Sequence, residues 1–284
     1  MGEAAKITRP LLRYHGGKWR LAPWIIGHFP EHRVYVEPFG GAASVLLRKM
    51  RSYAEVYNDL DGRLVSLFRV LRSPDAARLI ESLRLTPFAR LDFEESYEPT
   101  DDPVELARRT VVRSFMGFGS NSHSRSTGFR SNSNRSNTTP AHDWANYPPA
   151  LAAIVERLTG VVVEHRDAIK VIETHDGHDT LFYVDPPYPS VTRGPDIDYA
   201  HEMDDDGHRR LAATLRGVRG MVVLSGYPCD LYDRELYADW HRVEKSALAD
   251  GARKRTEVMW LNAAAADAIG GSGLFPAATP KGGE

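Results

Sequence analysis

Short apolar runs separated by longer polar stretches set the pattern of this chain. Val34-Tyr35-Val36, Val161-Val162-Val163, Leu181 to Val184, Met221 to Leu224 and Val258 to Leu261 are such runs, and Ala54 to Asn58 has the make-up of a further strand. Runs without alternation suit strands buried on both faces, which predicts an α/β fold with a mainly parallel sheet covered by helices. Arg209 to Arg216 is one helical stretch between strands, and Ser44 to Met50 is read as another.

From about Gly62 to Pro149 the alternation stops. Gly62 to Arg72 and Asp75 to Arg84 read as helices, the second with Ser73 as N-cap and Pro74 in its first position. Asp102-Pro103 opens a third helix running to about Phe115. Its Val104, Ala107, Val111 and Phe115 recur at helical spacing, which predicts a core face with Arg108, Arg109 and Arg113 turned outward. The expected organisation is a first part of the sheet domain over residues 1–61, a helical insertion over 62–149, the second part over 150–269 and a loose tail over 270–284.

Composition narrows the class. With 284 residues, 42% of them hydrophobic, the chain can bury a substantial core. No apolar stretch approaches the ~20 residues of a membrane span, and Met1 to Lys6 lacks a secretory core. Cys229 is the single cysteine, which excludes a disulfide framework and a thiolate metal cage and makes a reducing cytoplasm the expected home. Thirty-six basic against 38 acidic side chains give no global attraction to a polyanion, so any nucleic-acid contact must come from local clustering. Such clustering exists from Met116 to His142, where Arg125, Arg130 and Arg135 stand among Ser, Asn, Gly and Thr without one acid. The acids Asp196, Asp198, Glu202, Asp204, Asp205 and Asp206 gather instead before a helix, as its dipole favours, and no ligand spacing marks a metal site.

Asp185-Pro186-Pro187-Tyr188, directly after a strand, carries the most chemistry. A carboxylate and a proline carbonyl can each accept one N–H of a planar amine, while the aromatic ring stacks on its face. A rigid turn is the plain alternative for those four residues alone. Glu37-Pro38-Phe39-Gly40-Gly41 follows another strand, and Asp59 ends the next one, eighteen residues beyond Gly41. Glycines let backbone approach a nucleotide, and an acid at that spacing can take ribose hydroxyls. Near the start, Tyr14-His15-Gly16-Gly17-Lys18 offers a backbone nest and a cation for a carboxylate or phosphate.

Taken in order, Tyr14 to Lys18, Val36 to Ala42, Asp59 and Asp185 to Tyr188 resemble the Dam-like, alpha-group DNA adenine methyltransferases over roughly Leu11 to Asn262. That resemblance implies a Rossmann-like methyltransferase sheet with a helical target-recognition insertion, S-adenosyl-L-methionine as methyl donor and adenine N6 in double-stranded DNA as acceptor. It also implies cofactor contacts from Tyr14, Gly16, Gly17, Lys18, Glu37, Pro38, Phe39, Gly40, Gly41, Asp59, Asp167 and Asp185. Asp185, Pro186, Pro187 and Tyr188 are the implied catalytic set. The bottom-up reading gives Asp59 the ribose hydroxyls and Lys18 the methionine carboxylate; for Asp167 a helix N-cap competes with a cofactor contact. Ala43 stands where relatives usually carry glycine, and His15 where proline or alanine is common, which implies tuning rather than loss. Phe115 to Asn121 matches the family's target-reading segment only loosely, so the recognised DNA sequence stays open.

DNA contacts are expected from Arg113, Asn121, Arg125, Arg130 and Arg135, the arginines neutralising phosphates. The expected partner is duplex DNA, with a restriction endonuclease acting separately where a pair exists, and with no metal or membrane. The setting is a bacterial cell or a phage-infected host. An amino-methyltransferase acting on RNA or protein glutamine, or a non-catalytic DNA-binding protein on a decayed methyltransferase fold, are the alternatives. A cysteine nucleophile, which ring-carbon methylation would need, has no motif around Cys229.

Overall fold

The computed structural model describes residues 7–119, 127–132, 138–192, 201–248 and 254–270. Seven strands, β1 (Val34–Glu37), β2 (Ala54–Asn58), β3 (Val161–Glu164), β4 (Thr180–Val184), β5 (Met221–Gly226), β6 (His241–Leu248) and β7 (Lys254–Leu261), form one sheet in the order β3-β2-β1-β4-β5-β7-β6. The first five are parallel, and β7 runs antiparallel to both β5 and β6. Val36 stands level with Val56 on one side and Phe182 on the other, so the central strands align their apolar positions.

Strand periodicity sorts those positions into two cores. Tyr35, Tyr57, Leu181, Tyr183 and Val223 point to one face. Val36, Val56, Phe182, Val184 and Val222 point to the other. Among the described residues, the second face is covered by α8 (Ala168–His175), α9 (Asp205–Gly217) and a π-helical turn over Leu231–Leu236. The first is covered by α1 (Ala22–Ile26), α2 (Gly62–Leu71), α3 (Ala76–Leu85), α4 (Arg90–Glu95), α5 (Pro103–Met116), α6 (Pro140–Ala145), α7 (Leu151–Arg157) and α10 (Ala263–Gly270). Burying each large apolar side chain stabilises the fold by roughly 1.5–3 kcal/mol.

Several helices start where side-chain chemistry requires it. Asp61, Asp102, Asp167 and Asp204 each accept backbone N–H groups at the first turn of α2, α5, α8 and α9. Helix α3 starts at Ala76 rather than at Pro74; the Ser73 hydroxyl accepts the Asp75 N–H and forms the preceding turn.

Two expectations are corrected. Ser44 to Met50 is a run of turns, because the Glu37 carboxylate takes the Leu46 N–H and Ala43 has a left-handed φ of 52°. Arg108, Arg109 and Arg113 are not turned outward. Arg108 and Arg109 pair with Glu105, and Arg109 also donates to the Glu98 carbonyl. Arg113 is buried against the ring of Tyr97, 5.3 Å from its centroid. β6, a polar edge strand with no apolar run, and the short helix α4 are elements that the apolar pattern does not mark. Residues 271–284 of the expected tail lie outside the described residues.

Strand order places the site. From β1 the chain moves outward through β2 to β3, then returns to lay β4 on the opposite side of β1. The carboxyl ends of β1 and β4 therefore flank the crevice where this kind of sheet binds ligands.

Candidate active site

Thirteen of the residues singled out in the sequence line one cavity at that crevice. Tyr14, Gly16, Gly17 and Lys18 come from the first loop, Glu37 to Gly41 follow the course of β1 into its turn, Asp59 follows β2, and Asp185 to Pro187 follow β4. Tyr188 and Asp167 are outside its lining. Asp167 accepts the N–H groups of Ile169 and Lys170 through Oδ1 and so caps α8.

Asp185 holds three side chains together. Its Oδ1 accepts from the Ser225 hydroxyl at 2.8 Å and from the Tyr188 hydroxyl at 3.1 Å. Its Oδ2 meets the Lys18 ammonium at 2.8 Å. An ionised carboxylate offers about four lone-pair sites, so one acceptor position remains. Lys18 also donates to the Gly16 carbonyl at 2.7 Å and lies 4.9 Å from the centre of the Tyr188 ring. The cation read as a carboxylate holder is bound to Asp185 in this structure, as burial favours, since an ammonium 5% exposed needs a partner at hand.

The turn after β1 is fixed by close packing. A Cβ on Gly40 would fall 2.2 Å from the Tyr57 ring, and Gly41 has a φ of 50° with the Tyr14 ring against it. Asp59 accepts the N–H of Gly41 through Oδ2 and that of Asp61 through Oδ1, both at 2.8 Å. Burial raises its pKa against the pull of those bonds. Glu37 Oε1 accepts the Tyr35 hydroxyl at 2.6 Å and the Leu46 N–H at 2.7 Å. Burial pushes its pKa up to about 7. Ala43 is buried in the core and absent from the cavity lining, so its methyl group does not narrow the ligand's approach.

Several cavity and site residues escaped the sequence reading. His201, Glu202 and Met203 line the cavity from the segment before α9. Ser225 holds Asp185, and the Tyr183 hydroxyl lies 3.0 Å from Ser225 in turn. The signal for Ser225 was a hydroxyl ending an apolar strand, Met221 to Leu224, that neighbours β4.

Two of the arginines expected on DNA are among the described residues, and both are buried. Arg130 is buried, donating from Nη1 to the Phe115 carbonyl at 3.2 Å, with its Nη2 3.7 Å from Asp143. It follows the strand-like bridge between Gly117 and Phe129, which folds it inward. Arg113 is buried as well, without an ion pair among the described residues and with its Nε unbonded. Burial and the nearby Arg63 lower its pKa. Asn121, Arg125 and Arg135 lie outside the described residues. Among the described residues no cluster of three metal-ligating side chains occurs. No helix there is long and apolar enough to cross a membrane.

Residues 14–249 match the family described as D12 class N6 adenine-specific DNA methyltransferase. The chain belongs to that family. Among proteins it is similar to, a DNA adenine methylase of Vibrio cholerae serotype O1 is 26% identical over 247 residues, covering 82% of this chain and 86% of that one. The type II methyltransferase M.CviBI of Paramecium bursaria Chlorella virus NC1A is 20% identical over 258 residues, covering 86% and 94%. The D12 assignment makes the protein an adenine-specific DNA methyltransferase that uses a methyl donor. Its Rossmann-like sheet accords with that chemistry.

Proposed function

We propose that this D12 enzyme transfers the methyl group of S-adenosyl-L-methionine to the exocyclic N6 of an adenine flipped out of duplex DNA, at a defined sequence. The observation that carries the reading is the meeting of Asp185, Lys18 and Tyr188 beside a cavity walled by the glycine turn. The cavity fits such a donor in its chemistry: Asp59 suits a ribose diol, the backbone of Gly40 and Gly41 permits close approach, and acids outnumber Lys18 where a cation must sit. The bound donor would supply a methyl group on a positively charged sulfur.

The chain's own residues do the rest. Flipping the adenine costs a few kcal/mol, and Tyr188 stacks on the extruded ring. Asp185 accepts one amino hydrogen on its remaining acceptor position and the Pro186 carbonyl accepts the other. Those bonds favour a tetrahedral nitrogen with its lone pair directed into the cavity, and the Asp185 carboxylate stabilises the positive charge that develops on that nitrogen. Ser225 and Lys18 keep the carboxylate oriented while charge develops.

The helical region over residues 62–149 is assigned to DNA, and Arg113 is its best-supported contact, because a guanidinium with no ion pair among the described residues suits an arriving phosphate. We place the enzyme in the cytoplasm of a bacterial or phage-infected cell, with a restriction endonuclease as a separate partner if it serves a modification pair. Incubation with plasmid DNA and donor, followed by nucleoside mass spectrometry and site mapping, tests the reading. N6-methyladenine at one recurrent sequence is expected; unmodified adenine throughout, with donor bound, overturns it.

A further inference from the structure

The hairpin of β6 and β7 is longer than the sheet it closes. β7 pairs with β5 only from Val258 to Leu261, while Lys254 to Glu257 pair with β6 alone. Because β7 runs antiparallel to β5, this overhang lies at the carboxyl edge of the sheet, beside the catalytic loop. Two of its charged side chains reach one aromatic ring there. Arg255 lies 5.1 Å from the centre of the Tyr227 ring and is in polar contact with the Tyr227 hydroxyl. Glu257, 8% exposed, is in polar contact with the same hydroxyl.

Tyr227 in turn meets Tyr188. The rings pack edge to face, with centroids 4.7 Å apart and planes at 73°. Tyr188 also has Lys18 over its ring and its own hydroxyl on Asp185. Lys18, Asp185 and Tyr227 thus each bear on the tilt of the ring, and Tyr227 belongs neither to the cavity lining nor to the catalytic tetrapeptide. An edge-to-face pair loses its preference when either ring rotates, so a fixed Tyr227 restrains Tyr188.

We propose that Tyr227 is a positioning residue for the acceptor base, its ring fixing the tilt of Tyr188 while Arg255 and Glu257 of the overhanging hairpin fix Tyr227. The inference rests on the reading that Tyr188 receives the flipped adenine. Burial, together with the nearby Asp185 and against the pull of Lys18, raises the pKa of Glu257, in keeping with a carboxylate enclosed at this site.

The experiment uses the full chain and a duplex with 2-aminopurine at the mapped target, alongside the same duplex with adenine. Tyr227→Ala is expected to lower single-turnover transfer about tenfold and to change the fluorescence of the bound 2-aminopurine, with donor affinity within about twofold of wild type. Tyr227→Phe keeps the ring and is expected to recover most of the rate. Glu257→Gln is expected to fall between them. Wild-type rate and unaltered fluorescence in Tyr227→Ala, or faster transfer, overturn the proposal. Should Tyr227→Ala fail to fold, Glu257→Gln decides: a rate equal to wild type with normal thermal stability overturns it. Wild-type enzyme that methylates no DNA would instead defeat the acceptor reading, which separates the two failures.

Discussion

Lys18 and Asp185 meet at 2.8 Å, joining the glycine turn near the start of the chain to the loop that follows β4. The pair decides between two roles for the lysine. A lysine that holds the donor's carboxylate controls donor affinity, whereas one that orients Asp185 controls the rate once donor is saturating. Lys18→Gln is therefore expected to lower the saturated single-turnover rate about 100-fold. Donor affinity should change by no more than about threefold. Calorimetric donor titration beside rapid-quench transfer separates the outcomes; the reverse pattern returns Lys18 to the donor.

Glu37 makes stability depend on pH. Its folded pKa of about 7 lies above the ordinary 4.5, so the folded state favours the protonated acid. That contribution is fully present below about pH 4.5 and is lost as pH rises through about 7, amounting to roughly 3 kcal/mol. Glu37→Gln keeps an oxygen for the Tyr35 hydroxyl and the Leu46 N–H while removing the titration. Urea unfolding across this range should show a smaller fall in the variant than in wild type. Parallel curves would mean that Glu37 does not titrate there.

Arg113 and Arg130 are both buried arginines, yet they should answer differently to truncation. Arg130→Ala leaves the Phe115 carbonyl short of a donor and is expected to cost about 1–3 kcal/mol of stability. Its DNA salt dependence should stay as in wild type. Arg113→Ala is expected to reduce the slope of log affinity against log salt by about one, with Arg113→Lys restoring it. Equal slopes for wild type and Arg113→Ala would remove the phosphate contact.

Ala43 tests the backbone of the turn. Its φ of 52° costs a side-chain-bearing residue roughly 1–2 kcal/mol. Glycine relieves that strain but gives up a buried methyl and adds freedom to the unfolded chain, so Ala43→Gly should lie within about 1 kcal/mol of wild type. Ala43→Val has no compensation and should lose about 2–4 kcal/mol. Thermal unfolding of the two variants checks the contrast.

Most of the strands were legible because their apolar runs are long enough to mark burial on both faces. Asp59 and Asp185 could be placed together by the simple expectation that parallel strands put their following residues on one edge. β6 was not legible, since an edge strand such as His241-Arg242-Val243-Glu244 needs no apolar run. Arg113 and Arg130 misled because charge argues for solvent, while a ring face or a spare carbonyl can hold a guanidinium inside. Ser225, Tyr227 and Glu257 were hidden by distance along the chain: only the strand order brings β4, β5 and β7 side by side.

The apolar core on the first face passes without a break from Tyr35 and Leu181 in the sheet to Leu64, Val111 and Trp144 in the helices between β2 and β3. Those helices and the sheet that carries the candidate site therefore share one interior, and a change of volume in either is felt by the other. A descendant that acquires a new DNA preference must do so through side chains at the rim, keeping the shared interior as inheritance.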